Sequence, residues 1–124
     1  MLKNKMSEII KLEDFKKIDI VVGKILSAEK IPETDKLLKL SVDIGEDTPR
    51  TIVSGISLYF PDCSVLVGKK CMFVANLEPR IIRGIESKGM LFAVSGGDTM
   101  PKGGQGDFSL LEPDDSIKVG SRAK

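Results

Sequence analysis

Histidine is absent from the 124-residue chain. Without imidazole there is no imidazole general base, which excludes the commonest hydrolytic triads and the HExxH zinc motif. Only two cysteines occur, Cys63 and Cys71, and they form no Cys-x-x-Cys pair. That rules out a disulfide scaffold and, with histidine missing, argues against a metal site. Both thiols read as small buried or partly buried hydrophobes. Long apolar runs are lacking too: a stretch such as residues 71–75 is far too short to cross a bilayer, and nothing resembles a signal peptide. The expectation is a soluble, cytoplasmic chain with no membrane role. Nor does one charge sign dominate, since 19 Lys and Arg stand against 18 Asp and Glu.

What is present fits one domain around one core, at 41% hydrophobic residues. Leu2, Met6, Ile9 and Ile10 fall at helical spacing, and residues 12–15 can continue or restart that turn. Residues 1–12 therefore read as an N-terminal helical arm. From Ile18 the pattern changes to strands. Residues 18–26 are rich in β-branched side chains, with Gly23 placed for a bend or bulge. Beyond the turn residues Pro32 to Asp35, Leu38, Leu40, Val42 and Ile44 alternate with Lys39, Ser41 and Asp43. Residues 50–54, 70–75 and 89–94 supply three more strands, with one short helical turn in the connection holding Pro61 and Asp62. Five short strands with almost no helix between them predict an all-β, five-stranded barrel that hides its own edges, with the OB-fold ahead of an SH3-like barrel. The barrel is expected over residues 13–97. Residues 98–124 form a C-terminal extension with one or two strands near Leu110 and over 117–120, covering the barrel bottom or meeting a second copy.

Enzyme motifs fail in turn. Ser54-Gly55 lacks the flanking glycines of a nucleophile elbow, with Ile52 and Ile56 in their places. Gly68-Lys69 is followed by Lys70 and is no Walker loop, and residues 103–106 lack the GxGxxG spacing. Asp114-Asp115 after Pro113 reads as turn chemistry. The expectation is a chain that is not an enzyme and needs no cofactor. One stretch survives. Residues 69–90 carry five Lys and Arg against two Asp and Glu, while the segments on either side are each slightly acidic. Within it, Asn76 can cap a turn or meet a base or sugar. Pro79 stiffens the approach to Arg80, and Arg80 and Arg83 are spaced to point the same way in a turn or short helix. Guanidinium groups bind phosphate in a planar, two-pronged manner that lysine cannot match. Gly84 and Gly89 allow close backbone approach, Ser87 adds a small donor and acceptor, and Lys88 a point charge. A polyanion site and an ordinary solvated loop are the two readings of this pattern.

The residues resemble a known family, the tRNA-binding domain found at the C-terminus of many methionyl-tRNA synthetases and as free-standing dimeric tRNA-binding proteins. The likeness is carried by Asp14-Phe15 with Ile18-Asp19-Ile20, Val22-Gly23-Lys24-Ile25, Asp35-Lys36-Leu37, Ile52-Val53-Ser54-Gly55-Ile56 and Leu66-Val67-Gly68-Lys69-Lys70. Its most specific segments are Ala75-Asn76-Leu77, Pro79-Arg80, Arg83-Gly84-Ile85-Glu86-Ser87 and Gly89-Met90-Leu91. The resemblance implies an OB-fold barrel, a homodimer built with the C-terminal extension, and recognition of tRNA by its folded shape. Carried over position by position, it implies tRNA contacts from Lys36, Asn76, Arg80, Arg83, Ser87 and Met90, to which charge adds Lys88. In these roles Arg80 and Arg83 hold phosphates, Asn76 and Ser87 bond sugar or base edges, and Met90 gives an apolar contact. Val21, Glu78 and Ile81 stand where the family often carries basic residues, a departure expected to weaken binding and its salt dependence. The function implied is non-catalytic tRNA binding, free-standing or as part of methionyl-tRNA synthetase. The alternative within the same fold is a dimeric, export-linked chaperone for unfolded polypeptide.

Overall fold

The period of two in the second strand carries directly into burial. In β2 (Leu38–Asp43), Leu38, Leu40 and Val42 are fully buried while Lys39, Ser41 and Asp43 stay half-exposed. These come from a computed structural model that describes residues 6–96 and 107–124. β1 (Ile20–Lys30) is long enough to serve two partners: Ile20–Lys24 pair with β4 (Lys70–Val74), and Lys24–Lys30 with β2. β3 (Arg50–Ser54) pairs with β2. The sheet runs β3-β2-β1-β4-β7, all antiparallel, where β7 is Met90–Leu91. It forms a nearly closed barrel around Ile25, Leu38, Leu40, Val42, Ile52, Leu66, Cys71 and Phe73. Burial pushes the Cys71 thiol up to about 11, as expected of an inert core thiol.

The bend in β1 is not at Gly23. The register shifts between Ile25 and Ser27, and Gly23 keeps its place opposite Cys71. Its requirement is space: a Cβ there would lie 2.7 Å from Val42 Cγ1 and 2.8 Å from Phe73 Cδ2. The seam between β3 and β7 closes without a regular ladder. The Lys88 N–H donates to the Thr51 carbonyl at 2.9 Å, and the Val53 N–H donates to Ser87 Oγ at 2.9 Å. A side-chain hydroxyl thus stands in for a missing strand.

Elsewhere the chain departs from expectation for readable reasons. The only α-helix among the described residues, α1 (Leu12–Phe15), begins at the last residue of the expected arm. Residues 6–11 are irregular and exposed: Met6 and Ile9 find no surface to pack on, so no buried apolar face supports a helix there. Leu2 lies outside the described residues. The fifth strand breaks at Phe92, so that Met90–Leu91 pairs with β4 while β8 (Ala93–Ser95) turns to pair with β9 (Phe108–Leu110). Phe108 stacks on Tyr59 at 4.1 Å between ring centroids and meets the edge of Phe60 at 5.9 Å. Tyr59 and Phe60 sit at the end of a short 3₁₀ turn (Ser57–Tyr59), so β9 packs on the barrel core.

Residues 117–120 form turns, not a strand. Lys70 Nζ holds this region by donating to the carbonyls of Asp115 and Ile117, each at 2.8 Å. The tail then runs beside β1: Val22 N–H donates to Ser121 O, Gly120 N–H to Val22 O and Ala123 N–H to Ile20 O, each at 2.8 Å. The expected boundary at 97–98 and the glycines at 103–106 lie outside the described residues. No helix among those described is long and apolar enough to cross a membrane.

Candidate nucleic-acid interface

The turn-rich stretch is a β-hairpin. β5 (Arg80–Ile82) pairs with β6 (Ile85–Ser87), matching Arg80 with Ser87, Ile81 with Glu86 and Ile82 with Ile85. Between them Arg83 and Gly84 both adopt positive φ, 52° and 77°. That is the pattern of a two-residue type I′ turn, whose twist suits a tight hairpin. Glycine accepts it freely; arginine does so at some backbone strain.

This geometry separates the two arginines that the spacing suggested would point together. Arg80 stands at the hairpin foot and Arg83 at its tip, roughly 10 Å apart by strand rise. Both are exposed. Ile81, on the outward face opposite Glu86, is 70% exposed. Lys88 Nζ lies 3.6 Å from Glu86 Oε1, an exposed pair worth little energetically. Lys36 projects from a different loop, the β1–β2 connection. There Thr34 Oγ1 accepts from the Lys36 and Leu37 N–H groups at 3.2 and 3.1 Å, and the Lys36 carbonyl accepts from Ser57 N–H at 3.0 Å. Its backbone is fixed and its ammonium exposed. Met90 is half-exposed on β7.

Two expected contact residues are engaged within the protein. Asn76 Oδ1 accepts from the Asp19 N–H at 2.8 Å, and its Nδ2 donates to the Lys17 carbonyl at 2.5 Å. Its amide ties the chain leaving β4 to the chain entering β1. Ser87, only 4% exposed, accepts from Val53 N–H and donates to the Gly89 carbonyl at 3.3 Å. Both polar groups are satisfied from inside. Of the three non-basic positions, Val21 is buried on β1 against the tail at Arg122, while Glu78 and Ile81 lie exposed on the hairpin and its approach.

The residue that the sequence reading missed is Arg50, the first residue of β3. Its Nε and Nη2 donate to Glu46 Oε1 and Oε2 at 2.7 and 2.9 Å, a two-pronged pair. Its Nη1 donates to the Ala75 carbonyl at 2.5 Å and to the Lys88 carbonyl at 3.2 Å. The Arg50 hydrogen bonds hold the Glu46 carboxyl below its usual range, and Glu46 in turn raises Arg50. The one signal in the sequence is the Glu46-to-Arg50 spacing of four across a turn. Between that turn and the hairpin lies an open groove of about 930 Å³, lined by Thr51, Leu77, Pro79 and Ile85, with Lys39 and Lys88 set against Glu46, Asp47 and Glu86.

Comparison with known proteins bears on this site. A family model described as a putative tRNA binding domain matches residues 20–122. A methionine–tRNA ligase of Myxococcus xanthus is 48% identical over 115 residues, covering 93% of this chain and 15% of that protein. The chain spans about 15% of the length of the curated relatives it matches. Among solved structures, a MetRS related protein from Pyrococcus horikoshii is 37% identical with a TM-score of 0.81, covering 95% of this chain and 100% of that one. A CsaA chaperone protein from Picrophilus torridus is 27% identical with a TM-score of 0.77, covering 94% and 100% respectively.

Proposed function

The chain belongs to the putative tRNA-binding domain family, and from that premise we propose that it binds folded tRNA, without catalysis, through the β5–β6 hairpin and the loops beside it. The observation that carries this reading is the division of labour at the hairpin. Its base is held by Arg50, Asn76 and Ser87, while the guanidinium groups of Arg80 and Arg83 face solvent. Arg80 and Arg83 contact phosphates of a structured RNA, with Lys88 adding charge beside them and Lys36 reaching from the β1–β2 loop. Met90 supplies an apolar contact. Asn76 and Ser87 serve the site by shaping it, since their polar atoms are spent internally.

Acting in the cytoplasm, free-standing or as part of methionyl-tRNA synthetase, such a module raises the local concentration of tRNA or holds it in place. A second copy is the expected partner. Leu12, Phe15 and Ile18 are 66%, 43% and 44% exposed and, with Ala123, line an apolar groove of about 370 Å³. Burying such a strip between two copies would present two hairpins to one RNA. The same exposed apolar surface, with the likeness to a CsaA chaperone, favours polypeptide binding as the second reading.

A titration separates these. Unfractionated tRNA, an unstructured RNA of equal length and an unfolded polypeptide are compared at two salt concentrations. Preference for tRNA that weakens with salt is expected. Equal affinity for both RNAs would remove shape recognition, and polypeptide binding alone would favour the second reading. Sedimentation of Phe15→Glu tests the dimer, with a shift to monomer expected. Deleting the residues after 97 is a poorer test, because it removes Phe108 from Tyr59.

A further inference from the structure

We infer that Arg50 is the positioning residue of the tRNA site: it contacts no RNA and instead clamps both ends of the hairpin segment, with Glu46 as its counter-brace. The inference rests on the reading of the hairpin as the tRNA site and adds what sets its shape. Ala75 is where the chain leaves β4 and Lys88 is where it returns from β6. A single nitrogen, Arg50 Nη1, bonds the carbonyls of both. The twelve-residue excursion over 76–87 is thereby drawn together at its base by one group on β3.

The remaining donors explain why arginine is required. Nε and Nη2 are taken up by the two carboxylate oxygens of Glu46, which fixes the guanidinium plane so that Nη1 points between the two carbonyls. Lysine offers one nitrogen and no plane. Its ammonium can bridge two carbonyls, as Lys70 does with Asp115 and Ile117, but it has no further nitrogen for Glu46 to hold, so nothing fixes its direction. Arg50 is three-quarters buried by side-chain exposure and its charge is already matched, so it is poorly placed to meet a phosphate.

A direct consequence is that Glu46 aids RNA binding although it is an anion on the rim of an anion-binding site. On charge alone, removing it should tighten binding. If it braces Arg50, removing it loosens the hairpin and weakens binding. The two accounts differ in sign.

The test uses Glu46→Ala, Arg50→Lys and the parent protein, read by tRNA titration at several salt concentrations and by amide hydrogen exchange of residues 80–87 in the free protein. Arg50→Lys is expected to bind about tenfold more weakly, the loss that follows from one or two charge-assisted hydrogen bonds. Glu46→Ala is expected to weaken binding in the same direction by a smaller factor. Both should speed exchange across the hairpin and leave the salt slope at the parent value. Tighter binding by Glu46→Ala with unchanged exchange would overturn the inference. Full affinity in Arg50→Lys would overturn it too, by making Arg50 a simple charge. A parent protein that binds no tRNA would overturn the underlying reading of the site, whereas the exchange measurement would still decide the clamp.

Discussion

The hairpin over Arg80–Ser87 and the C-terminal segment over 107–124 both lie against the outside of the barrel, yet they are fastened by different means. The hairpin base is fastened by side chains: the guanidinium of Arg50, the hydroxyl of Ser87 and the amide of Asn76. The C-terminal segment is fastened mainly by its backbone, paired to β1 through residues 120–123 and to β8 through β9, with Lys70 on the carbonyls of Asp115 and Ile117 and the ring of Phe108 as its side-chain anchors. The difference shows in what each leaves exposed. Where polar side chains inside the fold do the fastening, Arg80 and Arg83 remain free for a ligand. Where backbone does it, neighbouring apolar side chains such as Phe15, Ile18 and Ile117 remain half-exposed. The first surface presents guanidinium groups beside the exposed Ile81, and the second presents apolar side chains.

That contrast can be broken at four points. The largest effect is expected from Phe108→Ala, which removes the ring stacked on Tyr59 and should lower unfolding free energy by about 3 kcal/mol while tRNA affinity of the folded protein holds. Equal losses of both would mean that the two regions are not separable. Next comes Arg80→Ala, expected to lower tRNA affinity by about 2 kcal/mol with the melting temperature nearly unchanged. An unaltered titration would take Arg80 out of the site.

Ser87→Ala should lower stability by about 1–2 kcal/mol, because the buried Val53 N–H loses its acceptor. Denaturant unfolding indistinguishable from the parent would show that the seam closes by other means. The smallest shift belongs to Arg83→Asn, which suits the first position of a type I′ turn better than arginine. It should raise stability by about 0.5 kcal/mol through relief of strain while reducing tRNA binding and its salt slope. A variant equal to the parent in RNA binding would leave arginine at the tip without a purpose.

Much of the barrel was legible because alternation is a local signal: Leu38, Leu40 and Val42 announce a half-buried strand without any partner being known. The hairpin was not. Its strands are only three residues long, and Arg-Gly is not among the dipeptides that mark a type I′ turn. Asn76 and Ser87 were recognised as special, but a motif cannot say whether a polar group faces a ligand or its own backbone. That depends on Lys17, Asp19 and Val53, all distant in sequence from the residue they meet. Arg50 was hidden for the same reason, since Ala75 and Lys88 lie 25 and 38 residues away. Gly23 looked like a bend because glycines in strands often are, and only the facing Val42 and Phe73 reveal a demand for room.

The seam sealed by Ser87 also bears on the order in which the chain assembles. β1, β2 and β3 follow one another as a meander with short connections, so their pairing closes small loops. Joining β3 to residues 87–88 bridges a span of more than thirty residues and can be completed only once β4 and the hairpin are in place. Seam contacts are then expected to form after the rate-limiting step. Ser87→Ala should accordingly quicken unfolding while leaving the refolding rate near that of the parent, a φ-value close to zero. Refolding slowed in proportion to the lost stability would instead place the seam within the nucleus.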